Sequence, residues 1–380
     1  MSTRRDFLSV GLLSSVAGLA SAPSAWSLTD SQPATGLSYR VLGKTGLKVA
    51  CVGFGCMVTS DVSVIERAVD LGINYFDTAR EYQHGNNERV VGTALKGKRD
   101  KFYLSSKTEA TTKEGALEQL DTSLSELGTD HLDIWYLHSK DDPSDVPDEL
   151  FEAQQVAKQR GKVRFSGLST HNAKDMVPFV IKKRETQVVL AAYNFTMEKS
   201  VSDAMAQADA AGLGVVAMKV MAGGFRDLKP TDPNATKLKR DGAMLAALKW
   251  ALRDKFVHTT IPGITDMEQL EENIKAMAEP FSSHEEHLLA RQLEYITPLY
   301  CRMCGECDGH CAKGLPVQDV LRYVMYADGY GEFELGRDHF KKLPAHLAAV
   351  RCGDCADCTV NCRFGVKVRQ RLSRAQEMFA

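Results

Sequence analysis

Short apolar runs alternate along the chain with longer stretches whose apolar positions recur every three or four residues. The runs at 49–55, 75–77, 102–107, 134–138, 165–169, 188–192, 214–219 and 259–261 have the length and composition of strands. Each precedes an amphipathic segment. In 116–127, Leu117, Leu120, Leu124 and Leu127 share one helical face, and 267–276 repeats the pattern. Strands that alternate with helices predict a parallel sheet. Eight such pairs in about 240 residues predict an α/β fold of the closed (β/α)8 barrel type. An open doubly wound sheet is the alternative. No Gly-x-Gly-x-x-Gly turn opens the first helix, which weighs against it.

Composition agrees with a globular chain: 380 residues, 44% hydrophobic and 25% charged. A net charge of −2 gives no electrostatic case for nucleic acid or an anionic membrane surface. Residues 1–27 differ from the rest. Arg4-Arg5 precedes an apolar run from Phe7 to Ala20 and small residues around Ala22 and Ala25. The run is too short for a stable membrane span, and the layout is that of a removable signal peptide. Ser2-Thr3-Arg4-Arg5-Asp6-Phe7-Leu8 resembles the twin-arginine export signal. The expected organisation is a signal peptide at 1–27, a linker at 28–38, the barrel at 39–281 and a cysteine-rich unit at 282–380. The expected location is periplasmic or exported, with no transmembrane anchor after cleavage.

Barrels of this kind carry chemistry where strands end. Asp77, Tyr82, Lys107 and His138 fall at or just after the ends of the second, third and fourth strands. Singly, each has an ordinary reading: a cap, a solvated lysine, a core histidine. Together, on consecutive strands and one face, they form a candidate active site. Cys56 lies at the same end, either facing substrate or as a small buried hydrophobe.

The motifs around these residues closely resemble the aldo-keto reductase superfamily. They are Tyr39 to Leu47 (YRVLGKTGL), Gly53-Phe54-Gly55, Phe76 to Tyr82 (FDTAREY), Leu104 to Thr108 (LSSKT), Trp135 to His138 (WYLH), Gly161 to Arg164 (GKVR) and Glu271-Glu272-Asn273. The resemblance implies a carbonyl–alcohol interconversion. Tyr82 would act as general acid, Lys107 would lower its pKa, Asp77 would hold Lys107, and His138 would direct the carbonyl oxygen. It also implies a nicotinamide dinucleotide, NADP or NAD, near Ser169, Gly223, Gly224, Gly263, Glu272 and Asn273. Several positions depart from the family pattern. Thr170 and Leu190 replace the usual amide-pocket Asn and Gln, Met218 replaces a ring-stacking Tyr, and Gly263 and Gln269 stand where Lys and Arg often hold the 2′-phosphate. Lys219 is either a replacement charge or a solvated lysine.

Eight of the ten cysteines lie in two runs, Cys301-x2-Cys304-x2-Cys307-x3-Cys311 and Cys352-x2-Cys355-x2-Cys358-x3-Cys362. This doubled spacing is the two-cluster bacterial ferredoxin pattern, in which the fourth cysteine of each run crosses to the other cluster. It predicts two [4Fe–4S] clusters, one on Cys301, Cys304, Cys307 and Cys362, the other on Cys352, Cys355, Cys358 and Cys311. Two zinc sites or a disulfide framework are the alternatives. The proline that normally follows each fourth cysteine is replaced by Ala312 and Arg363. Between the runs, a helix is expected around 317–325, packing the clusters together.

The combined expectation is an exported oxidoreductase acting on a small carbonyl or alcohol, with a sugar as the family default. A redox partner protein is one source of electrons, and a tightly held dinucleotide loaded before export is the other. The competing classes are a non-enzymatic iron–sulfur carrier that uses the barrel as scaffold and a protein that binds sugars or other carbonyl compounds.

Overall fold

The computed structural model describes residues 36–224 and 241–380. The expected signal peptide and residues 28–35 of the expected linker lie outside the described residues. Eight parallel strands form one sheet: β3 (Phe54–Gly55), β4 (Tyr75–Asp77), β5 (Tyr103–Thr108), β6 (Leu132–Leu137), β7 (Val163–Thr170), β8 (Val188–Ala192), β9 (Gly214–Met218) and β10 (Thr259–Thr260). They are hydrogen-bonded in chain order. Parallel bridges from Val52 to Thr260 and from Gly55 to Gly263 join the first strand to the last, so the sheet closes. The expected barrel architecture is therefore present.

Helices α1 (Val62–Asp70), α2 (Asn86–Ala94), α3 (Lys113–Leu127), α4 (Asp148–Gln159), α5 (Ala173–Lys183), α6 (Lys199–Ala210), α7 (Ala243–Arg253) and α8 (Met267–Ala278) surround it. Their ends follow local chemistry. Thr112 caps α3 by accepting the Gly115 N–H, and Gly128, left-handed at φ 64°, ends it. The predicted stripe of α3 faces inward, with Leu120, Leu124 and Leu127 buried and Leu117 half-buried.

The predicted first strand at 49–55 is two pieces. Its first residues belong to a hairpin of β1 (Tyr39–Val41) and β2 (Lys48–Ala50), paired antiparallel. The Asn74 side chain takes the Ala50 N–H at 2.8 Å, so that donor leaves the barrel ladder. A β-carbon on Gly53 would stand 2.9 Å from the Tyr75 backbone oxygen, so only glycine passes there. Leu42, Leu47 and Val49 of the hairpin pack with Tyr75, Tyr136, Leu190 and Val216, filling the barrel from the end where strands begin.

After α9 (Ser283–Ile296), α10 (Val317–Tyr330), α11 (Phe333–Lys341), α12 (Ala345–Ala348) and α13 (Val368–Phe379) make up the tail. The helix expected around 317–325 runs on to Tyr330, and it lies over the open end of the barrel. Ile296, Tyr300, Val324, Phe340 and Phe379 share one core with Ala192 and Ala222 of the barrel. Asp328 ties α10 to α13 through Arg371 at 2.6 Å and Arg374 at 2.7 Å. The closest backbone approach is at Gly329, where a β-carbon would collide with the carbonyl oxygen of Gly223.

That approach sets two effects against each other in Gly329→Ala. Helix propensity favours alanine by about 1 kcal/mol, whereas a clash with backbone, which no rotamer relieves, costs about 1–3 kcal/mol. The expected result is a lower melting temperature with faster hydrogen exchange in 317–330. An unchanged or raised melting temperature would mean that the helix does not press on Gly223.

Candidate active site

β4 and β5 pair so that Asp77 stands opposite Ser105. Lys107, two residues along β5, points to the same face as Ser105. Tyr82 opens a short 3-10 turn (Tyr82–Gly85) held by two left-handed residues, Gln83 at φ 51° and His84 at φ 53°. His138 follows the last residue of β6. These backbone placements bring the four candidates together. The Lys107 Nζ donates to Asp77 Oδ2 at 2.5 Å, to the Thr78 carbonyl at 2.7 Å and to the Tyr82 hydroxyl at 3.1 Å. Its three protons thus have three acceptors. Ser105 Oγ donates to the other Asp77 oxygen at 2.7 Å. The His138 ring meets Tyr82 edge-on at 5.7 Å. Its Nδ1 is 3.5 Å from Glu109 Oε1 and has no hydrogen-bond partner.

Burial governs the protonation of this group. It pushes Asp77 up and Lys107 down, and the attraction between the two works against both shifts. The same burial, reinforced by Asp77, holds Tyr82 well above its ordinary value. The lowering expected from Lys107 is outweighed here by burial and by Asp77. Asp77 offsets the ammonium, and phenolate has lost its water. Tyr82 is a protonated donor. His138 is pushed far below its usual range, first by burial and then by Lys107, and stays neutral.

Asp77, Tyr82 and His138 face a cavity that the tail roofs, with Lys107 buried behind the Tyr82 hydroxyl. Tyr326 and Tyr330 of α10 and His339 of α11 line it together with Tyr82 and His138. Sequence reasoning missed these three. Tyr326 and Tyr330 show the i,i+4 spacing of one helical face, but nothing local says what that face covers. Arg322 was missed as well. It reaches His171 at 2.9 Å and Asp141 at 3.4 Å, linking α10 to the ends of β6 and β7.

Among the candidate cofactor residues, Ser169, Gly223 and Gly263 line the cavity. Ser169 Oγ also accepts the Ser139 N–H at 2.8 Å. Gly224 lies beside the Gly329 carbonyl. Glu272 and Asn273 are on α8, outside the cavity wall. Both polar atoms of the buried Asn273 amide lack partners. A buried amide left open in this way suits the hydrogen-bonding edge of a base. The altered amide-pocket positions have other work: Thr170 bonds Asp141 at 3.1 Å, and Leu190 belongs to the barrel filling. Cys56 is fully buried, as expected of a small hydrophobe.

The ten cysteines are free thiols, so the disulfide alternative is not seen. They neighbour one another in two sets. Burial, then Cys307, Cys304 and Cys362, pushes Cys301 up to about 12. Burial likewise raises Cys352, helped by Cys311, Cys358 and Cys355. Each set takes three thiols from one run and the fourth from the other. Thr359 stitches the runs together by accepting the Ala312 N–H at 3.2 Å and donating to the His310 carbonyl at 2.7 Å. Among the described residues, no three His, Cys, Asp or Glu side chains converge on a single metal ion. A cubane cluster asks for a different arrangement, one thiolate at each of four irons.

Residues 59–291 match the model of the Aldo/keto reductase family, a match that ends before Cys301. An uncharacterized oxidoreductase of Bacillus subtilis, YqkF, is 27% identical over 281 residues, covering 62% of this chain and 90% of its own. L-galactose dehydrogenase of Arabidopsis thaliana is 29% identical over 287 residues, covering 64% and 89%. Among solved structures, aldo-keto reductase AKR11C1 from Bacillus halodurans in its holo form superposes with a TM-score of 0.58 at 26% identity, over 67% of this chain and 96% of that one. An aldo-keto reductase from Klebsiella pneumoniae in complex with NADPH gives 0.57 at 25% identity, over 67% and 95%.

The cavity histidines make a pH prediction. Burial depresses His138 strongly and brings His171 and His339 down to about 4. Below about pH 6.5 the unfolded chain therefore binds more protons than the folded one, and stability falls as pH drops. The melting temperature is expected to decline between about pH 7.5 and pH 5.5. Replacing His171 and His339 together by Gln should flatten that slope; an equal slope in the double variant would assign the loss to other groups.

Proposed function

The chain belongs to the aldo/keto reductase family, and from that premise we propose an exported oxidoreductase that interconverts a carbonyl and an alcohol, with two [4Fe–4S] clusters beside the barrel. The observation that carries the catalytic half is the unbroken chain from Asp77 through Lys107 to Tyr82, at 2.5 and 3.1 Å, opening on a cavity.

A nicotinamide dinucleotide, when bound, supplies or takes the hydride. Asn273 and Glu272 would hold its base, Ser169 its amide, and Gly223, Gly224 and Gly263 would let the backbone approach its phosphates. The open Asn273 amide supports this. In the reducing direction, Tyr82 donates its proton to the carbonyl oxygen as that oxygen takes on negative charge. Lys107 then donates to the phenolate oxygen left behind, and Asp77 keeps Lys107 charged and aimed. Neutral His138, edge-on to Tyr82, donates to the same oxygen and orients the carbonyl. The tail helices keep bulk water from the cavity.

The two neighbouring thiol sets support the cluster assignment. Cys301, Cys304, Cys307 and Cys362 would hold one cluster, and Cys352, Cys355, Cys358 and Cys311 the other. The clusters would give the barrel a one-electron link to a redox partner protein. Export through the twin-arginine route, which carries folded proteins, suits a chain that must load such groups first.

Tyr82→Phe is expected to lower turnover of an active carbonyl substrate by about 10²–10⁴-fold with little change in melting temperature. Turnover within a few-fold of the parent would remove Tyr82 as the acid. Anaerobically purified protein is expected to contain about eight irons and eight sulfides. Cys304→Ser and Cys362→Ser should alter the same paramagnetic signal, and Cys311→Ser the other. Zinc in place of iron, or a pairing of Cys362 with Cys355, would overturn the assignment.

A further inference from the structure

Lys219 follows β9 with a backbone φ of 55°, a left-handed conformation that a residue with a β-carbon rarely adopts. The effect is to carry its side chain into the cavity that holds Tyr82 and His138. The ammonium lies over the ring of Tyr326 at 5.0 Å and over that of Tyr330 at 5.5 Å. Among the described residues it has no hydrogen-bond acceptor and no ion-pair partner. Asp141, the carboxylate that acts on it, is already taken by the His171 backbone N–H at 2.6 Å and by Arg322 at 3.4 Å. A half-buried ammonium on a cavity wall without a counter-ion is destabilised by its lost solvation, and two tyrosine faces compensate only in part.

We propose that Lys219 anchors an oxyanion subsite and that the substrate of this barrel is a carbonyl compound carrying a carboxylate. The inference rests on the carbonyl–alcohol reading given above. It deepens that reading by naming the substrate class. The other source of an oxyanion is a dinucleotide phosphate. Geometry favours the substrate. Tyr326 and Tyr330 line the same cavity as Tyr82, so the rings beneath the Lys219 ammonium share a wall with the proton donor. Glu272 and Asn273 lie outside this cavity wall, while Gly223 and Gly263 lie on it, which makes the cofactor phosphate the competing occupant. A carboxylate on Lys219 would therefore hold a compact substrate with its carbonyl end toward Tyr82. Burial and Arg322 bring the Lys219 pKa down to about 7, so near neutral pH the group is part amine until an oxyanion partner favours the charged form. The aromatic roof is contributed by the tail, so substrate selection by the barrel depends on the cysteine-rich region.

Calorimetric titration of the anaerobically purified, cluster-loaded protein tests this with matched pairs: glucuronate against glucose, glyoxylate against glycolaldehyde, and 4-formylbenzoate against benzaldehyde. At least one acid is expected to bind about 10- to 100-fold more tightly than its neutral partner, the range of a charge-assisted hydrogen bond. Lys219→Met should erase that preference, and Lys219→Arg should keep most of it. NADPH affinity, measured in parallel, should stay within about threefold in Lys219→Met. If no acid outbinds its neutral partner, the subsite is wrong. If Lys219→Met weakens NADPH as much as the acid, the oxyanion belongs to the cofactor. A parallel Tyr82→Phe turnover assay keeps the two readings apart, since its result does not depend on which substituent the substrate carries. Lys219→Gln serves where the methionine variant does not fold.

Discussion

A fully buried lysine ammonium is stable only when its protons have acceptors, and the architecture of this site follows from how Lys107 finds three. Removing one partner of a buried charge pair typically costs about 3–5 kcal/mol, so the acceptors are structural requirements as well as chemical ones. Asp77 reaches Lys107 because β4 and β5 are parallel and in register. The Thr78 carbonyl reaches it because β4 ends there. Tyr82 reaches it because the turn at 82–85 adopts two left-handed residues to come back over the strand ends. The phenol that closes this shell is also the group that faces the cavity. The need to satisfy the lysine and the need to aim an acid are met by one geometry.

The tail extends the same logic outward. Its helix over the barrel mouth is held at the rim by Arg322, at the back by the ion pairs of Asp328, and at its closest point by two glycines, Gly223 and Gly329, that let backbone meet backbone. Gly223 lines the cavity and also lets the helix approach it closely. The cysteine loops flank α10 in sequence and share its core, so the candidate cluster ligands and the cavity roof belong to one packed unit. This gives a physical reason for a thiol-rich tail on this barrel: it completes the wall of the cavity besides carrying the thiols.

Much of this was legible in the sequence. The alternation of short apolar runs with amphipathic stretches determined the barrel, because side-chain period decides strand or helix locally and eight repeats leave few ways to bury all the faces. Asp77, Tyr82, Lys107 and His138 were readable because strand ends in such a barrel share one rim. The two cysteine runs were readable from spacing, and with them the expectation of two crossed ligand sets. The split of the first strand was not, because it turns on the Asn74 side chain taking a backbone donor from far along the chain. Nor was the protonation of Tyr82, since the sequence displays the neighbouring lysine and the carboxylate that holds it but not the burial that outweighs the lysine. The placement of Tyr326, Tyr330 and His339 over the cavity, and of Lys219 over two tyrosine rings, was decided only by tertiary structure. A helix's periodicity tells which of its faces is apolar, while what that face covers depends on long-range packing that no local pattern records.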